Sequence, residues 1–317
     1  MPLRHILLAV VVAVVWGVNF LAIDVGVADV PPVLFVAIRF VVVLVPAVFF
    51  VPRPAAPLRD VLLLGAFMSL GQFGLLYTGI ALGMPPGLAS LVLQAQVGLT
   101  VLFAAAALRE VPTRAQLVGV VVGAAGLLAV GLGRSAATPG VAFLLTLAAA
   151  ASWATGNVVA RRIATRAPST RTADAGDARS AALAGLSMTV WSALVVPVPM
   201  LVLAVVLDGA DAVVQSLTHL TWTAVGSTLY TAWLASLFGY GVWNMLLARY
   251  PASAVVPFTM LVPVVGMAAA WLVQDERPNV AELTGGAVLL LGVAITTGLG
   301  RGVPVRLLGR EHRDVRT

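Results

Sequence analysis

A chain of 317 residues, 60% of them hydrophobic and only 10% charged, cannot coat itself for water, because a soluble domain carries about 25% charged residues; a cytosolic globular protein is excluded. The formal charge is +6, every basic side chain is Arg, and the sequence has neither Lys nor Cys. That removes a Walker phosphate loop, a lysine Schiff base, disulfides, thiolate metal sites and cysteine nucleophiles.

A helix needs about 20 apolar residues to cross ~30 Å of hydrocarbon. Apolar runs bounded by Pro, Gly or charge number ten, at approximately 5–26, 32–51, 60–81, 86–108, 114–133, 139–163, 180–206, 219–247, 252–273 and 280–299. None shows the alternating polarity of a membrane barrel strand. The first run follows Arg4 and His5, has no clear small-x-small cleavage site and is interrupted by Trp16 and Asn19; it reads as a retained span rather than a signal peptide. The second carries Pro46 and Arg39, the latter about two turns into the helix. Arg39 either receives a substrate carboxylate or pairs with Asp24 near the end of the first run.

The third and fourth runs contain Gln72, Tyr77, Gln94 and Gln96. In the fifth, Gly119, Gly123 and Gly126 have the small-residue spacing of a close helix crossing. The sixth holds Trp153 and Asn157, and the seventh is nearly pure apolar apart from Pro197. The eighth brings Tyr230, Trp233, Tyr240, Trp243 and Asn244. Pro257 and Pro263 in the ninth are expected to kink it and to supply a hinge. Polar groups inside hydrocarbon are costly, and they avoid the fifth, seventh and tenth runs; the set is expected to line one shared cavity. Each residue taken singly also has a plainer reading as helix-to-helix glue.

A shift of 166 residues lays the fourth run on the ninth and the fifth on the tenth. Pro85 meets Pro251, Glu110 meets Glu276, Pro112 meets Pro278, Gly119 meets Gly285 and Gly126 meets Gly292. Thr113 with Gln116, and Asn279 with Glu282, both have the spacing of a capping box. Trp16-Gly-Val-Asn19 likewise parallels Trp153-Ala-Thr-Gly-Asn157. Glu110 and Glu276 each end a run just before Pro and a new helix start, as interfacial hairpin residues. Two halves of five runs follow, residues 1–135 and 136–300, with a basic tail over 301–317. Because five is odd, the second half enters the membrane inverted, an arrangement that recurs in secondary transporters.

Arginine placement sets the orientation. With the first residues inside, Arg4, Arg53, Arg59, Arg109, Arg114, Arg161, Arg162, Arg166, Arg171, Arg179, Arg249, Arg301, Arg306, Arg310, Arg313 and Arg316 fall on the cytoplasmic side. Only Arg134 and Arg277 fall opposite. Basic residues favour cytoplasmic loops, so both termini are expected inside. No carboxylate lies at the centre of a run, which disfavours a cation antiporter built on a buried Glu and suits a neutral, zwitterionic or acidic solute. His5, His219 and His312 have no HExxH spacing, and no Ser stands in a GxSxG setting, so no enzyme, metal or cofactor is expected. Nucleic acid is not an expected partner, because its binding needs a continuous basic surface and these Arg are scattered through short loops.

Trp16-Gly-Val-Asn19-Phe20, Pro31-Pro32, Ile38-Arg39-Phe40 and Asp275-Glu276-Arg277 resemble the EamA family of the drug/metabolite transporter superfamily, over about residues 5–300. Longer stretches, at 83–96, 146–157, 239–250 and 261–267, are similar to the O-acetylserine/cysteine exporters within it. The resemblance implies an all-α integral membrane protein with ten transmembrane helices as two inverted five-helix repeats. It implies amino-acid metabolite export across the cytoplasmic membrane, through a cavity lined by the first, third, fourth, sixth, eighth and ninth spans. Asp24 departs from the family's usual Lys, Asn244 from a small residue and Val111 from a basic one. The resulting site set is Trp16, Asn19, Arg39, Gln72, Tyr77, Gln94, Gln96, Trp153, Asn157, Tyr240, Trp243 and Asn244. A small-molecule substrate and membrane lipid are the expected partners; the alternative is an exporter of aromatic amino acids or drugs.

Overall fold

The computed structural model describes residues 1–134, 138–166 and 175–298, with backbone alone at 175–179, 181, 252 and 253. Arg171, the tail with Arg301, Arg306, Arg310, Arg313 and Arg316, and the side chain of Arg179 lie outside the described residues. Among the described residues every regular element is helical: α1 (Leu3–Asp29), α2 (Pro32–Phe50), α3 (Leu58–Ala81), α4 (Pro86–Leu108), α5 (Arg114–Gly133) and α6 (Gly140–Arg166). There follow α7 (Ala175–Ala193, resumed at Pro197–Asp208), α8 (Trp222–Leu229, Tyr230–Phe238, Gly239–Arg249), α9 (Ala252–Val255, Val256–Met260, Leu261–Gln274) and α10 (Val280–Thr297). Nine segments among them are long and apolar enough to cross a membrane. The element not among these nine is α8, the helix richest in Tyr, Trp, Ser and Thr. Large apolar side chains also face outward on other helices, Phe50 at 85% and Leu272 at 81% exposure, as a lipid-facing surface requires.

The helices start and stop for local reasons. Thr113 and Asn279 each accept a hydrogen bond from the backbone N–H three residues on, and Gln116 and Glu282 return the bond; both capping boxes are present. Arg109 and Asp275, 166 residues apart, are the two non-glycine residues at positive φ among the described residues, 56° and 54°. These left-handed residues stop α4 and α9. Pro197 interrupts α7 and opens its second piece, whereas α2 continues through Pro46. Residues 207–218, a plain connection by sequence, include a short helix, Ala210–Thr218.

Four helices depart from regular winding, in matching places. α3 contains a π-helical stretch at Ala66–Gly71 and α8 one at Tyr230–Phe238. α4 breaks at Leu93–Gln94, and α9 passes through a 3₁₀ turn at Val256–Met260. The broken positions of α4 and α9 coincide under the 166-residue shift. α5 and α10 pack through their glycines: Gly119 faces Gly292 and Thr296, and Gly126 faces Gly285 and Leu289. As α5 advances from 119 to 126, its neighbour retreats from 292 to 285. The two equivalent helices therefore run antiparallel.

Candidate functional site

The polar residues singled out in the sequence form three groups and several singletons. In the first group, Arg39 of α2 is buried at 2% exposure. Its Nη1 donates to the Tyr77 hydroxyl at 2.8 Å and its Nη2 to Ser236 Oγ at 2.9 Å. Ser236 hands its own proton to the Thr231 carbonyl, 2.8 Å away. The guanidinium lies over the Phe73 ring, 4.1 Å from its centroid, with Phe40 and Tyr77 further out. Arg39 Nε has no partner. Asp24 accepts from Gln274 Nε2 at 2.6 Å, so the Arg39–Asp24 pair weighed from sequence is not formed.

The second group joins α1 and α8. Trp16 packs against Tyr240 and Trp243, ring centroids 5.3 and 5.2 Å away. Trp16 Nε1 donates to the Ala235 carbonyl at 2.9 Å, an acceptor inside the π-helical stretch. Tyr230 and Trp233 bond to the carbonyls of Val15 and Val42. In the third group, Asn157 Nδ2 on α6 donates to Gln96 Oε1 at 2.9 Å and Thr100 Oγ1 at 3.2 Å on α4. Gln94, at the break in α4, donates through Nε2 to the Thr259 carbonyl at 3.2 Å. Thr259 belongs to the matching break in α9, so the two interruptions touch.

The remaining residues stand apart. Asn19 and Gln72 are buried, each with a side-chain oxygen lacking a partner. Trp153 packs half-buried against the main core. Asn244 lies beside Gly185 of α7, its Nδ2 buried without a hydrogen-bond partner. Pro257 sits in the 3₁₀ turn of α9, and Pro263 is the third residue of its last piece. The described structure holds an apolar cavity of about 430 Å³ between α4, α5, α6 and α10. Of the twelve expected site residues only Gln94 lines it; the others lie outside it, in the separate groups and single positions described above. Among the described residues no group of three or more His, Asp or Glu could hold a metal.

Several contributors escape a reading of the sequence. Ser236, Thr100 and Thr231 look like ordinary helical hydroxyls, which usually bond their own helix; Phe73 looks like core. Glu276, expected as a hairpin residue, also reaches across to α4. Its two carboxylate oxygens accept from the Gly87 and Leu88 N–H groups at 3.0 and 3.2 Å. Burial pushes this carboxyl above its ordinary value of 4.5; the two backbone donors oppose the shift, and the Glu282 and Asp24 carboxylates add to it. Its repeat counterpart Glu110 instead pairs with Arg161 at 2.9 Å, on the surface.

Comparison with known proteins agrees with this architecture. The chain matches the model of the EamA-like transporter family twice, over residues 3–132 and 140–298. It is 41% identical over 292 residues to a probable amino-acid metabolite efflux pump of Salmonella typhimurium, covering 91% of this chain and 93% of that protein. The protein of the same description from Escherichia coli is 40% identical, with the same coverage. An uncharacterized transporter of Bacillus subtilis, YoaV, is 23% identical over 90% of this chain and 94% of its own. A solved crystal structure shares the fold, with a TM-score of 0.58 at 20% identity over 94% of this chain and 98% of that one. The chain is a multi-pass membrane transporter and not an enzyme: it belongs to the EamA-like transporter family.

Proposed function

We propose that this protein is a secondary exporter that moves small amino-acid metabolites, such as O-acetylserine or cysteine, across the cytoplasmic membrane by alternating access. In this reading α8 also crosses the membrane and brings the number of spans to ten. Residues 1–135 and 136–300 are inverted five-span repeats, and both termini, with the basic tail 301–317, are cytoplasmic. The observation that carries the proposal is the meeting of the α4 and α9 breaks through Gln94 and the Thr259 carbonyl. Interrupted helices that face one another across a repeat interface expose backbone acceptors and give each half a flexible joint. Pro257 lies within one of these joints. The two relatives described as probable amino-acid metabolite efflux pumps support the substrate class.

Reconstituted vesicles loaded with labelled O-acetylserine and cysteine should empty faster than protein-free vesicles; equal rates overturn the proposal. The Trp16, Tyr240 and Trp243 cluster favours a second reading, export of aromatic amino acids or other ring-bearing solutes. Competition by bulky aromatic compounds, with none by O-acetylserine, would select it.

A further inference from the structure

Arg39 presents an electrostatic problem that its own neighbours do not solve. It is the eighth residue of α2, so it sits ~10 Å from the helix start, and it is buried at 2% exposure. Arginine does not give up its proton in proteins. A buried charge is ordinarily paired, yet the three ion pairs among the described residues all lie elsewhere. Tyr77 and Ser236 occupy two of the five N–H groups and bring no negative charge. Three donors stay open, one of them Nε. The Phe73 face stabilises the cation through its ring quadrupole, but it too leaves a net +1 in the interior.

The residues around this cation come from the two helices that carry π-helical stretches. Phe73 lies two residues and Tyr77 six residues beyond the π-helical stretch of α3, and Ser236 lies inside that of α8. π-helical insertions concentrate at functional sites, because they loosen the backbone ladder locally.

We propose that Arg39 is the anchor for a carboxylate on the transported solute, Tyr77 and Ser236 holding the guanidinium while its free N–H edge receives the anion. This inference rests on the exporter reading and narrows it. The solute carries a free carboxylate, as amino acids and their O-acyl derivatives do, and simple amines and cationic amphiphiles are repelled. An arginine fork matches a carboxylate bidentately, whereas a Lys at this place would offer a single point of charge.

The test compares efflux of O-acetylserine and cysteine with efflux of their carboxamides, from vesicles containing the native protein, Arg39→Lys or Arg39→Gln. The native protein should move the carboxylates at least about tenfold faster, the scale of a charge-assisted hydrogen bond. Arg39→Lys should shrink that ratio, and Arg39→Gln should bring it near one. A native ratio near one, or an undiminished ratio in Arg39→Gln, overturns the inference while the exporter reading stands. Absence of efflux of every amino-acid solute by the native protein overturns the exporter reading itself. If Arg39→Gln does not fold, Arg39→Lys decides: an unchanged ratio there removes the role of the fork.

Discussion

At the scale of single residues, the interior polar groups stand on narrow support. Tyr77→Phe removes one acceptor from Arg39 where the chain is fully buried. Stranding a buried donor costs about 1–3 kcal/mol, and a lowered apparent Tm in detergent is the expected measurement. Glu276 gives a pH signature. Its carboxyl is raised in the folded chain by burial, so the folded state holds a proton that the unfolded state releases between the ordinary and the raised value. Stability therefore falls as pH rises through that window. Glu276→Gln abolishes this titration, so its Tm should lack the decline that the native protein shows just above pH 4.5. Arg39 stood out in the sequence because a lone Arg inside an apolar run has few explanations, and the structure buries it at 2% exposure. Its actual partners did not stand out, because Phe73 and Ser236 lie 34 and 197 positions away and neither residue type signals a cation site.

At the scale of elements, the reading succeeded where chemistry is local. Both capping boxes could be recognised from residues three apart, and both formed. The break in α4 was hidden because Leu93 and Gln94 are neither Pro nor Gly; contact with α9 supplies what the local sequence does not. The π-helical stretches of α3 and α8 left no compositional trace either. The glycine crossing permits a sharp comparison. A Cβ on Gly292 would come within 2.5 Å of Gly123 Cα and 2.6 Å of the Gly119 carbonyl oxygen, all backbone. Gly292→Ala should therefore sharply reduce the folded protein recovered by size-exclusion chromatography. Gly226 of α8 has nothing within 4 Å of its added Cβ; Gly226→Ala should leave recovery unchanged or stabilise the protein by about 0.4–1 kcal/mol.

At the scale of the whole molecule, the 166-residue period was readable because it repeats functional punctuation: an acid, a proline and a cap at fixed intervals. The side-by-side placement of α5 with α10 could not be read, since spacing within a helix names no partner. The chain contains no Cys, so single cysteines can be labelled without background. Val111 and Arg277 are separated by the same 166 residues, and both are exposed, Val111 at 92%. In sealed vesicles of known orientation, a membrane-impermeant maleimide should reach Val111→Cys from the cytoplasmic side and Arg277→Cys from the other. Labelling of both from one side would contradict the inverted arrangement. The seam between α5 and α10 has a mechanical consequence. Two backbones in direct contact have no rotamers to rearrange and no slack to take up; they stay shut or part altogether. That pair is thus a fixed seam between the two equivalent helices, and Gly119, Gly126, Gly285 and Gly292 are what let it close.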